Sequence, residues 1–87
     1  MRPDAPTDPS TREFKFVGEG GESFVEFCMT AVAGVTGEPL RREEVVVRLS
    51  RTGKYQSVVL VVCVTSGAQV QGIYKAVRAD TRLRYLL

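Results

Sequence analysis

Gly53-Lys54-Tyr55-Gln56-Ser57-Val58-Val59-Leu60-Val61-Val62-Cys63-Val64-Thr65-Ser66 is the stretch that decides the fold. Thr52-Gly53-Lys54 reads as a tight turn, with Gly53 supplying the permissive backbone. Tyr55–Thr65 follows as a strand, and Ser66 can cap a helix. Strand alternation sends Val58, Leu60, Val62 and Val64 to one side and Val59, Val61 and Cys63 to the other. A strand half-exposed to water keeps its second face polar. This one is apolar on both, so it belongs at the centre of its sheet, and its second face can be covered too.

Upstream of the turn, Glu44–Arg51 alternates, with Val45, Val47 and Leu49 against Glu44, Val46, Arg48 and Ser50. It closes a hairpin with the decisive strand. Downstream, Ser66 and Gln69 have capping-box spacing. Val70, Ile73, Tyr74 and Val77 form the apolar stripe of a helix. Gly72 sits inside that helix at a cost of about 1 kcal/mol relative to alanine, so a close approach to the sheet or to another helix is expected there. Arg82–Leu87 reads as a last strand with Leu83, Tyr85 and Leu87 facing inward.

Toward the N-terminus, Glu13–Val17 alternates, with Phe14 and Phe16 on one face. Gly18-Glu19-Gly20-Gly21 breaks the pattern. Glu22–Val35 then takes helical spacing through Phe24, Phe27, Cys28, Ala31, Val32 and Val35, and Gly34, Gly37 and Pro39 end it. The order is strand-helix-strand-strand-helix-strand. Two right-handed split crossovers of this kind give a ferredoxin-like α+β plait: a four-stranded antiparallel sheet with both helices on one face. The expected strand order is second, third, first, fourth, which makes the two-faced strand central.

At 87 residues this is one small domain, residues 13–87, behind a tail at residues 1–12. Three prolines and no large apolar residue beyond Met1 make that tail a candidate for disorder. The net charge of +2 is too small to argue for nucleic acid. No run approaches a membrane span and no apolar signal core follows Met1, so a soluble, cytoplasmic chain is expected. Cys28 and Cys63 fall on opposite sides of the sheet, which leaves them as packing residues rather than a metal or disulfide pair.

Histidine, asparagine and tryptophan are absent, which removes histidine acid–base catalysis. The RNA-recognition version of this plait stacks bases on aromatics of its central strands. Here the outer positions of those strands are Lys15, Val17, Ser57, Val59, Val61 and Cys63, with only Tyr55 at the margin. Acylphosphatases need an arginine in the first loop and an asparagine on a central strand, and copper chaperones need paired cysteines in that loop. None is present.

Two places could bind something. Gly18, Glu19, Gly20 and Gly21 join a strand to a helix and could offer backbone N–H groups to an anion or a carboxylate. A tight turn explains the glycines more plainly, and Glu19 and Glu22 repel anions. The second place is the outer sheet face, where Val17, Val46, Val59, Val61 and Cys63 form an apolar centre. Glu44, Arg48, Lys15, Arg82 and Arg84 would ring it. An apolar centre with a charged rim reads as a protein interface, against the plainer reading of scattered strand-favouring valines.

Several segments resemble the YbeD-like proteins, small bacterial proteins of uncharacterised function. They are Gly53-Lys54-Tyr55-Gln56-Ser57-Val58, Val64-Thr65, Gln69-Val70 with Ile73-Tyr74, and Arg84-Tyr85-Leu86-Leu87, within a similarity running from Phe14 to Leu87. The resemblance implies the same plait and a likeness to ACT regulatory domains. Those domains pair through sheets or helices and bind amino acids near the first strand-helix loop, here Gly18–Gly21. Some relatives carry a lipoate-regulatory label. This chain departs from the family in its outward-apolar third strand (Val59, Val61, Cys63) and its proline-rich tail.

The expectation is a non-enzymatic regulatory or protein-interaction module. It would bind a partner protein or its own copy through Val17, Val46, Val59, Val61, Cys63, Arg82 and Arg84. The alternative is a sensor of a small, amino-acid-like metabolite at Gly18–Gly21. No cofactor, metal, nucleic acid or membrane is expected to take part, and Glu19, Glu22 and Glu26 have no convergent base or nucleophile to make an enzyme.

Overall fold

The computed structural model describes residues 11–86. Its elements are β1 (Thr11–Glu19), α1 (Glu22–Thr36), a 3₁₀ turn (Arg42–Glu44), β2 (Val46–Leu49), β3 (Tyr55–Cys63), α2 (Gly67–Arg78) and β4 (Leu83–Leu86). The sheet is antiparallel in the order β2-β3-β1-β4, a ferredoxin-like plait with β3 and β1 at the centre. Residues 1–10 of the expected tail lie outside the described residues. Thr11 and Arg12, placed in that tail by composition, belong to β1, where Thr11 pairs with Cys63 and Arg12 with Val62.

Alternation sets the core. Phe14 and Phe16 of β1 and Val58, Leu60 and Val62 of β3 point to the helical side, and all are buried. Phe24, Val25, Cys28 and Val32 of α1 and Val70, Ile73 and Val77 of α2 cover them. The α1 stripe is thus rotated from the expected one. Val25 is fully buried, whereas Phe27 and Ala31 are only partly so. Tyr74 meets Phe14 edge-on, with centroids 5.5 Å apart, a geometry that aromatic quadrupoles favour.

The caps follow local chemistry. Ser66 Oγ accepts from the Gln69 N–H (3.2 Å), and the Gln69 side chain reaches one residue further back than a standard capping box, to the Thr65 N–H (2.8 Å). Gly37 ends α1 in the left-handed region, at φ 80°, and returns its N–H to the Ala33 carbonyl. The absent side chain of Gly72 makes room for Val35. A Cβ there would lie 3.3 Å from Val35 Cγ1, so the close neighbour is α1 rather than the sheet.

Three boundaries depart from the alternation. β1 does not break at Gly18 but continues through Glu19. β2 begins at Val46 because Arg41 and Glu44 close a reciprocal cap around the 3₁₀ turn, which uses up the residues that would have started the strand. In β4, Val17 pairs with Tyr85 but Gly18 pairs with Leu83, so Arg84 is the extra residue of a bulge. The bulge reverses the side-chain parity. Leu83 and Leu86 pack on the core, while Tyr85 is thrown outward and is 66% exposed. The expectation of an inward Tyr85 is corrected on that ground, and that for Leu87 lies outside the described residues.

Candidate functional site: the outer face of the sheet

Both helices lie on one side, so among the described residues no element covers the other side of the sheet. The register maps that face in rows. Arg48, Ser57, Val17 and Tyr85 lie side by side across the four strands. The next row is Val46, Val59 and Lys15, then Val61 beside Glu13, and Cys63 beside Thr11. On the other side of the first row Tyr55 lies beside Glu19. Val46 and Val61 are 56% and 55% exposed, so the apolar centre is open to solvent. Val17 and Val59 are half-buried between their neighbours, and Cys63 is exposed. The sheet therefore brings together five of the seven residues expected to form an interface.

The two arginines behave differently. Arg82 precedes β4, so strand parity does not govern it. It donates through its backbone N–H and Nε to Asp80 Oδ1 (2.8 and 2.9 Å) and through Nη2 to Oδ2. Its Nη1 reaches Ser23 Oγ at the start of α1, and the guanidinium lies 5.8 Å from the Phe24 ring centroid. Arg82 thus ties the start of α1 to the turn after α2 and does not belong to the rim of the outer face. The same contacts hold the Asp80 carboxyl below its ordinary value, chiefly through the hydrogen bonds from Arg82. Arg84, in the bulge, pairs with Glu19 (Nη2 to Oε2, 2.6 Å) and donates to the Thr81 and Leu83 carbonyls. It stays at the end of the outer face.

Tyr85 is an outward aromatic that alternation alone hides, because a one-residue bulge leaves no mark in the pattern. Gln56 was also missed, although its signal is legible: a polar residue at an inward position of β3. It is 3% exposed. Its amide donates to the Glu19 carbonyl (2.7 Å) and the Gly21 carbonyl (2.8 Å), so it fastens the β1–α1 junction to β3.

That junction contains the glycine loop. Gly18 is buried, and a Cβ there would lie 2.5 Å from Phe24 Cζ and 2.8 Å from the Arg82 carbonyl oxygen. A Cβ on Gly20 would lie 2.2 Å from the Gly53 carbonyl oxygen. The Glu19 N–H is donated to Arg82 O (3.0 Å) and the Gly20 N–H to Lys54 O (2.9 Å). Two of the N–H groups that could meet a ligand are therefore spent inside the protein, and two of the glycines are explained by packing. A third, Gly21, has φ 118°, which a side chain resists.

Charge is unevenly placed around the outer face. Arg41 pairs with Glu44, Arg42 with Glu22, and Arg84 with Glu19. Lys15, Arg48, Arg51 and Lys54 carry no ion pair among the described residues, and Lys54 lies 5.6 Å from the Tyr55 ring centroid. A shallow depression of 330 Å³ lies between Lys15 and Arg48, lined also by Val17, Ser57 and Tyr55. Of the two thiols, Cys28 is buried under Phe24 and its neighbours, and burial pushes it up to about 12, which leaves it an unreactive packing group. Among the described residues no helix is long and apolar enough to cross a membrane.

A model of the family described as "Protein of unknown function (DUF493)" matches residues 8–87. No curated protein and no solved structure matches the chain.

Proposed function

The chain belongs to the DUF493 family, whose description leaves the activity open, and we propose that it is a non-enzymatic regulatory module that binds a protein through the outer face of its sheet. The observation that carries this is the contiguous patch of Val46, Val59, Val61 and Val17, extended by Tyr85, on a face that neither helix covers. Water-exposed apolar side chains in adjoining rows, edged by charged ones, have the composition of a protein interface. The glycine loop supports the metabolite-sensor alternative less well, since its N–H groups at Glu19 and Gly20 already have acceptors.

Photo-crosslinking in cells that express the chain tests the proposal. Val61→benzoylphenylalanine should yield discrete adducts, and Glu26→benzoylphenylalanine, on the exposed side of α1, should not. Val61→Asp, combined with a probe at Val46, should remove the adducts while the far-ultraviolet circular dichroism is unchanged. Adducts from Glu26 alone, or none from Val61, would refute the reading.

A further inference from the structure

The partner's chemistry can be read from the charges around the patch, on the premise that the outer face is the binding surface. Lys15 projects from β1 and Arg48 from β2, on either side of β3, and Arg51 and Lys54 sit on the turn at the end of the face. The carboxylates nearest to them are accounted for: Glu19 by Arg84 and Glu44 by Arg41. Glu13 is the remaining acid on the face. Among the described residues, four cations against one acid make the surface positive, although the whole chain carries only +2.

This excess discriminates between occupants. A second copy docking by a two-fold axis would lay the patch against itself. With the axis through the centre of the patch, Lys15 and Arg48 would meet their own copies or each other's, with a single acid per copy to compensate, and like charges across an interface are costly. Nucleic acid tolerates the charge but stacks its bases on aromatics at the centre of such a sheet. Here the centre is Val59, Val61 and Val46, and the two tyrosines lie toward one end of the face.

We infer that the occupant is an acidic protein segment, with carboxylates set around apolar side chains, and not a second copy of this chain. Lys15 and Arg48 are two strand spacings apart across the sheet and offset by two residues along it, a separation of about 12 Å. The depression between them, floored by Val17 and Ser57, is where an apolar side chain flanked by two carboxylates fits. In an extended segment, carboxylates four residues apart stand about 13 Å apart on one face, with an apolar residue midway between them.

The test uses a synthetic peptide of three Glu-Ser-Val-Ser repeats, its lysine counterpart, and a twelve-nucleotide oligothymidylate, each titrated into the isotopically labelled full chain. The acidic peptide should move the amides of Lys15, Ser57, Val59 and Val61 saturably. Binding should weaken about tenfold between low salt and physiological salt, as screening requires. The double variant Lys15→Glu, Arg48→Glu should lose the peptide, and exchanging the lysine peptide for the acidic one should restore binding to it. Absence of shifts, equal binding of the lysine peptide by the unaltered chain, or tighter binding of the oligonucleotide would each overturn the inference. Sedimentation equilibrium supplies the further arm. A homodimer dissociated by Val61→Asp would overturn the acidic partner yet leave the sheet-face reading standing, whereas acidic-peptide shifts confined to α1 and α2 would overturn both.

Discussion

Gly20→Ala is expected to be among the most damaging conservative changes in this chain. Gly20 φ is not positive, so alanine meets no backbone barrier there and the effect is one of space alone. The added Cβ would sit 2.2 Å from the Gly53 carbonyl oxygen, where real Cβ contacts essentially never fall under 3.0 Å. The obstacle is backbone, so no rotamer relieves it, and the β2–β3 turn must retreat by roughly 0.8 Å. The retreat stretches the Gly20 N–H to Lys54 O bond, now 2.9 Å. Overpacking of this kind costs about 1–3 kcal/mol, and a lost hydrogen bond about 1 kcal/mol more. The total, about 2–4 kcal/mol, is a large share of the stability of a domain this size, and it corresponds to a fall in Tm of roughly 10–25 °C. Gly34→Ala is the control. Nothing lies within 4 Å of a Cβ added there and it is helical, in the last turn of α1, so alanine should stabilise by up to about 0.5–1 kcal/mol. Thermal and urea unfolding of both variants measures the contrast. A Gly20→Ala protein within about 0.5 kcal/mol of the parent would show that the hairpin turn is not seated on the β1–α1 junction, and the account of that junction would fail.

Gln56→Leu keeps the volume but removes both amide donors from the Glu19 and Gly21 carbonyls. It should cost about 2–3 kcal/mol in urea unfolding, because partly buried carbonyls are left unpaired, and a change below about 0.5 kcal/mol would deny Gln56 its fastening role. The Asp80 carboxyl is held below its ordinary value of 3.8 by Arg82, so the ionised form stabilises the fold. That contribution is present above the ordinary value and is lost as pH falls through the lower folded value. Asp80→Asn should therefore unfold more easily at neutral pH and show a flatter loss of stability below pH of about 4; parallel acid-unfolding curves would contradict it.

The strand order was legible because β3 is apolar on both faces, and only a central strand tolerates that. The helix positions followed from spacing, but the rotation of α1 did not. Phe24, Cys28 and Val32 fit a stripe widened by Phe27 and Ala31 as well as one widened by Val25, so spacing leaves the choice open and packing against the sheet decides it. The apolar centre of the outer face came directly from alternation in β1, β2 and β3. Its edges did not, since both corrections there have local causes outside that alternation. Arg82 is captured by a carboxylate two residues upstream, and Tyr85 is turned outward by one surplus residue at Arg84.

The ladder between β1 and β3 has a consequence for how the chain comes together. It joins Thr11 to Cys63 and Glu19 to Tyr55, so its nine pairs span sequence separations from 36 to 52 residues. The β2–β3 hairpin, by contrast, closes over a few residues and can form as soon as it is made. Loop closure over such distances slows folding, and a strand that waits exposes its edges. During synthesis β1 emerges first and is paired late, holding Phe14 and Phe16 without a sheet until β3 has cleared the ribosome. Of the four strands, the earliest one made is therefore the one that waits longest for its central partner.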